Sequence, residues 1–217
     1  LFDSRPPVPF DVLSIGIGST ADRREVCVEG DSLVEVKPMQ SFLDRLRLAV
    51  EKAVVHAKDR DLQVCIVGGG VASVEISTFL PAYLKTLTDP PYAVSLLTGG
   101  KQILPAVGES MRAKVQLELQ QRGVRIVTGS KVKQVTQTEL IQADGKAVAA
   151  DLVIWVTNAI APPLLAKLQL ELDNRGFIRT ESTLAAKSAR NVFAVGDTGT
   201  IVGESIPKAG VYAVRQG

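Results

Sequence analysis

Three glycines, Gly68, Gly69 and Gly70, separate an apolar run at 64–67 from a stretch in which Val71, Val74, Glu75 and Phe79 recur at helical spacing. The pattern predicts a buried strand, a tight turn and the start of a helix. A helix start offers N–H groups without intrahelical acceptors and the positive end of the helix dipole, so it suits an anion. Gly68 permits the turn, and Gly70 lets an anion approach the backbone. Ser73 stands where helix and strand must pack closely, and serine is small enough to allow it. Together with Gly69, Val71 and Ala72, these residues read as a cradle for the diphosphate of a dinucleotide. The alternative is a glycine turn in some other α/β domain.

Further along, the strand expected at 92–97 ends in Thr98-Gly-Gly-Lys101. A dinucleotide site usually places an Asp or Glu there to hold the adenosine ribose. No carboxylate is present. Lys101 either meets a 2′-phosphate, favouring NADP, or is a solvated turn lysine. Near the C-terminus, Asn191-Val-Phe-Ala-Val-Gly-Asp197 places Asp197 at a strand end, where a carboxylate can accept hydrogen bonds from a polyol. The lone histidine, His56, supports neither a multi-histidine metal site nor a Ser-His-Asp triad. Cys27 and Cys65 are too far apart in sequence for a Cys-x-x-Cys dithiol. We therefore assign no metal ligand and no catalytic side chain.

These residues need a scaffold. The 217 residues are 46% hydrophobic and 22% charged, a globular composition. A net charge of +2 is too small to argue for nucleic acid. No apolar run reaches the length of a membrane span, and Arg5-Pro-Pro-Val-Pro9 interrupts any leader helix, so a cytoplasmic protein is expected, with at most peripheral membrane contact. Starting at Leu1 and ending at Gly217, the chain reads as an internal piece of a longer protein. A strand is expected at 11–17, and the runs 24–29 and 33–36 around Gly30-Asp31 carry a hairpin signal. Helical spacing runs from Ser41 to about Lys58. The helix after Gly70 is expected to stop near Pro81, with a second piece at 83–87 and a loop at 89–91. The stretch 109–122 reads as an amphipathic helix with Met111, Val115, Leu117 and Leu119 on its apolar side, followed by a strand at 124–127. Short antiparallel strands are expected at 132–135, 139–142 and 147–149, with Asp144-Gly145 as a turn, and a buried strand at 151–156. The fold class is α/β: a parallel sheet with an inserted small antiparallel sheet at 38–157, between incomplete segments at 1–37 and 158–217.

Three motifs in one order are more specific than any alone: the central glycine turn, Val153-Ile-Trp-Val-Thr-Asn-Ala159, and Thr183 followed by Val192-Phe-Ala-Val-Gly-Asp197. They resemble the two-dinucleotide-binding-domain flavoproteins, the pyridine nucleotide–disulfide oxidoreductase superfamily. Asp11-Val-Leu-Ser-Ile-Gly-Ile-Gly-Ser19 is similar to that family's strand entering the NAD domain. Lacking a cysteine pair, the chain looks closest to type II NADH dehydrogenase-like proteins. The stretches Arg5-Pro-Pro-Val-Pro-Phe-Asp-Val-Leu-Ser14 and Pro207-Lys-Ala-Gly-Val-Tyr-Ala-Val-Arg-Gln-Gly217 resemble the branch fused to selenide, water dikinase.

The resemblance implies a Rossmann-like NAD(P)-binding domain at 38–157 and partial FAD-binding segments at 1–37 and 158–217. It implies FAD and NAD(P)H as cofactors and hydride transfer from nicotinamide to flavin. The acceptor is open: quinone, oxygen, a small thiol compound or a protein. Gly68, Gly70 and Ser73 would lie against the NAD pyrophosphate, and Glu75 near the nicotinamide–flavin junction. Thr157 and Asn158 belong to the second motif. Gly196 and Asp197 would hold the FAD ribityl chain or phosphate, and Lys208 to Tyr212 would pass the isoalloxazine; the other reading makes Lys208 and Tyr212 packing or surface residues and Glu75 a polar residue on an exposed helix face. Three departures stand out: Ser73 for the usual glycine or alanine, Thr98 for the usual acid, and the absence of the family's N-terminal FAD glycine turn. The piece is therefore expected to bind FAD weakly or not at all by itself. The alternative is a regulatory module that binds NAD(P)H without turnover.

Overall fold

The computed structural model describes residues 6–58, 60–88 and 91–216. Asp89 and Pro90 of the expected 89–91 loop lie outside them, as do Arg5 and Gly217 of the two terminal motifs. The chain forms two compact units, one from Ala21–Asn158 and one joining the residues up to Thr20 with those from Ala159 onward.

The contiguous unit is built on five parallel strands, in the order Leu33–Glu35, Leu152–Trp155, Leu62–Val67, Tyr92–Leu97 and Val124–Val127. Leu62–Val67 lies in the middle, and every residue in it except Gln63 is buried. Its alternate side chains face different layers. Val64 and Ile66 join Leu46, Val50, Leu84 and Leu119 of the helices Phe42–Ala57, Val71–Leu87 and Glu109–Gln121. Cys65 and Val67 pack instead with Val132, Val135 and Leu140 of the small antiparallel sheet. A strand covered on both faces must be apolar throughout, which is why the run shows no alternation. Desolvation at this position pushes the Cys65 thiol up to about 12. The antiparallel strands Val132–Val135, Glu139–Gln142 and Ala147–Ala149 stand where the Asp144-Gly145 turn requires.

Three local expectations are corrected. The 24–36 segment is not a hairpin: Cys27–Val28 runs parallel to Val132–Val135, and Leu33–Glu35 parallel to Leu152–Trp155. Its turn is held from outside, the Asp31 N–H donating to Gln137 Oε1 (3.1 Å) and the Ser32 hydroxyl to the Thr136 carbonyl (2.7 Å). Residues 21–37 accordingly fall within the contiguous compact unit, Cys27–Val28 on the small sheet and Leu33–Glu35 on the parallel one, so that unit begins at Ala21. Next, Val71–Leu87 is one helix running through Pro81. Burial of Leu80, Pro81 and Leu84 offsets the missing N–H, and the Tyr92 hydroxyl donates to the Pro81 carbonyl at 2.5 Å. Finally, two helix faces differ from their sequence assignment. Val71, Glu75 and Phe79 are exposed, while Ser73, Val74 and Ser77 are buried; Met111 and Leu117 are exposed, leaving Leu119 as the buried residue of its helix.

The unit's two ends meet. Asp22 N–H donates to the Asn158 carbonyl at 2.7 Å. The Asp22 carbonyl accepts from Trp155 Nε1 (3.0 Å) and from the Thr157 hydroxyl (2.6 Å). At the other end of the strands, buried Asp151 accepts both arms of the Arg60 guanidinium and the Gln63 N–H.

The second unit holds a mixed sheet in the order Leu13–Ile15, Ala189–Ala194, Ala185–Ala186, Ile178–Thr180 and Gly199–Ile201. Its core is Ile15, Leu165, Ile178, Ala186, Val192 and Ala194. The short helix Gly210–Gln216 follows. Among the described residues, no helix is long and apolar enough to cross a membrane.

Candidate functional site

Val67, Leu97 and Trp155 are register partners at the C-terminal ends of three adjacent strands. Ligands of open α/β sheets bind beyond this edge. The chain leaves Val67 through the glycine turn, and the Gly68 N–H donates to the Leu97 carbonyl at 2.9 Å. A Cβ on Gly68 would lie 2.3 Å from the Val156 carbonyl oxygen, and one on Gly69 would lie 2.4 Å from Thr98 Oγ1. Packing against neighbouring loops therefore explains these two glycines. Gly70 differs, because a Cβ there would meet nothing within 4 Å.

Gly70 is the N-cap of Val71–Leu87 and supplies no capping side chain. The Val74 N–H is the one that returns to the Gly70 carbonyl, at 3.3 Å. The amides of Val71, Ala72 and Ser73 thus form the uncapped first turn. Ser73 is fully buried, and its hydroxyl donates to the Gly70 carbonyl at 2.8 Å. It leaves no bulk in the mouth, and a Cβ on Gly68 would come 3.1 Å from the Ser73 Cβ, so helix and strand are in close contact. The open side of Gly70 and the uncapped amides fit a diphosphate by charge and by space.

An open cleft of about 550 Å³ lies over this turn. It brings together five residues expected from sequence: Gly69, Gly70, Thr98, Lys101 and Asn158. Gly100, Gln102 and Pro105 also line it and were missed, because residues 99–105 show no periodicity and read only as a turn. Leu104 N–H donates to the Gly69 carbonyl at 2.7 Å and fixes this loop over the turn. Of the other candidates, Val71 and Ala72 are exposed on the first helical turn, and Glu75 is exposed one turn later, outside the cleft lining. Thr157 is half-buried, with its hydroxyl committed to Asp22.

In the second unit, Gly196, Asp197, Lys208 and Tyr212 share the wall of one small cavity of about 20 Å³. Asp197 stands in the turn after Ala189–Ala194 and accepts a hydrogen bond from the Ser19 hydroxyl at 2.7 Å. Lys208 is half-buried, donates to the Gly199 carbonyl and lies 4.4 Å from the Phe177 ring centroid. Desolvation, with the nearby Arg175 charge, holds its ammonium below the usual lysine range, against the pull of Asp173 and Asp197. Sequence reasoning did not single out Phe177 or Asp173, whose role is contact with residues far along the chain. Among the described residues, no three His, Cys, Asp or Glu side chains group as a metal site requires.

Comparison with known proteins places this arrangement. The demethylphylloquinone reductase NdbB of Synechocystis is 28% identical over 149 residues, covering 67% of this chain and 36% of that protein. The type II NADH:quinone oxidoreductase of Haemophilus influenzae is 24% identical over 222 residues, covering 90% and 50%. The chain thus spans between about a third and a half of the length of these relatives. The crystal structure of an FAD-dependent pyridine nucleotide-disulphide oxidoreductase from Desulfovibrio vulgaris superposes with a TM-score of 0.72 at 25% identity, over 96% of this chain and 52% of that one. Sequence matching to the pyridine nucleotide-disulphide oxidoreductase family runs over residues 7–217, and the chain belongs to that family.

Proposed function

We propose that this chain is the nicotinamide-dinucleotide-binding part, with a portion of the flavin-binding part, of an FAD-dependent NAD(P)H oxidoreductase of the type II NADH dehydrogenase kind. The observation that carries the reading is the uncapped helix start beside Gly70, open to a cleft at the C-terminal edge of a parallel sheet. Residues 21–158 form the NAD(P)-binding domain in this reading, and the segments on either side belong to the FAD-binding domain. Gly68 shapes the turn, and Gly70 with the amides of Val71, Ala72 and Ser73 holds the pyrophosphate. Lys101 and Asn158 flank the dinucleotide, and Gly196 and Asp197 take part in holding FAD, with Lys208 and Tyr212 near it. When bound, nicotinamide and flavin supply the hydride chemistry themselves. The protein's work is to bind and orient them. The relatives named for quinone reduction support a quinone as the final acceptor, which goes with peripheral contact at a membrane.

The test is thermal unfolding of the 217-residue chain with and without NADH and NADPH. Binding at the cleft raises Tm in a dose-dependent way. A Tm indifferent to both nucleotides at millimolar concentration overturns the reading.

A further inference from the structure

We infer that the cleft selects the 2′-phosphorylated dinucleotide, NADP(H), and that Lys101 is the residue that selects it. The inference rests on the dinucleotide reading above and deepens it. Thr98 occupies the strand end from which a carboxylate would hold the free ribose hydroxyls. It is only 6% exposed, and its Oγ1 accepts the Gly100 N–H at 3.2 Å, so the hydroxyl is turned into its own loop. No carboxylate lines the cleft among the described residues. An NAD ribose therefore finds no charged acceptor, and a 2′-phosphate finds no like charge to repel it.

Lys101 is the charged side chain in the lining. It is exposed and, among the described residues, has no ion-pair partner. On the far side of the loop, the Lys131 backbone approaches Gly99, where an added Cβ would come within 3.5 Å of its Cα. Lys131 and Lys133 share one anion, Glu25, at 2.9 and 4.0 Å, so that neighbourhood also carries excess positive charge. A phosphate dianion at the strand end thus enters a positive field with one uncommitted ammonium in it.

Calorimetric titration of the 217-residue chain with NADPH, NADH, adenosine 2′,5′-bisphosphate and ADP tests this. NADPH is expected to bind about tenfold more tightly than NADH, the scale of one charge-assisted hydrogen bond. The bisphosphate is expected to outcompete ADP in the same sense. Lys101→Ala is expected to lower the NADPH-to-NADH affinity ratio about tenfold, and Lys101→Glu to invert the preference; both change an exposed side chain, and their Tm values report folding. NADH binding as tightly as NADPH, or a Lys101→Ala variant with an unchanged ratio, overturns the inference and leaves the dinucleotide reading standing. Failure of all four nucleotides to bind removes both.

Discussion

Gly68 and Gly70 sit two residues apart and serve different ends. At Gly68 an added methyl meets a backbone carbonyl, which cannot move aside. Gly68→Ala is expected to cost about 2 kcal/mol or more of stability. At Gly70 the backbone has φ −90° and the space is free, so Gly70→Ala should leave the unfolding midpoint within about 0.5 kcal/mol of the parent. Its methyl nevertheless enters the cleft beside the amides, and nucleotide affinity should fall about tenfold or more. Denaturant unfolding combined with nucleotide titration separates the two effects. If Gly70→Ala destabilises the fold without weakening binding, the pyrophosphate is not held there. Sequence pattern gave the turn to Gly68 and the open approach to Gly70, but not what lies opposite each: Val156 for one and open cleft for the other. Ser73 was legible as a tolerated substitution for a smaller residue. That its hydroxyl would return to the Gly70 carbonyl was not.

At the level of elements, the central strand, the glycine turn and the following helix were legible because each is specified locally. A short apolar run, three glycines and a helical start need no distant partner to be recognised. The inserted antiparallel strands were legible for the same reason, given the Asp144-Gly145 turn. What failed was pairing across long sequence separation. Cys27–Val28 and Leu33–Glu35 alternate as hairpin strands would, yet each joins a strand more than a hundred residues further on. Helix faces failed where small polar residues are buried: Ser73 and Ser77 satisfy their hydroxyls on backbone carbonyls and so pass into the core. The strand starts offer a test of their own. Asp151 has a side chain only 1% exposed and leans on Arg60, which is 49% exposed. Removing the cation strands a buried charge, whereas replacing the acid lets the guanidinium turn to water. Arg60→Ala should therefore cost about 3 kcal/mol and Asp151→Asn about 1 kcal/mol in urea unfolding. Equal costs would show that the carboxylate is not held by this cation.

At the scale of the whole chain, every residue lining the larger cleft lies between Ala21 and Asn158. Residues 21–158 expressed alone are expected to fold cooperatively and to bind nucleotide with the affinity of the 217-residue chain, within about twofold. Circular dichroism and calorimetry check this, and a soluble but non-binding 21–158 piece would mean that the remaining residues build part of the site. The contiguous compact unit begins at Ala21, a limit that sequence did not mark, since the turn at Gly30-Asp31 looks local and is held by Gln137. The bond from the Asp22 amide to the Asn158 carbonyl carries a wider consequence. A body whose entry and exit points touch can be spliced into a surface loop of an unrelated host without prying that loop apart. Gene rearrangement could therefore move this body between proteins as a cassette, with its ligand pocket travelling intact.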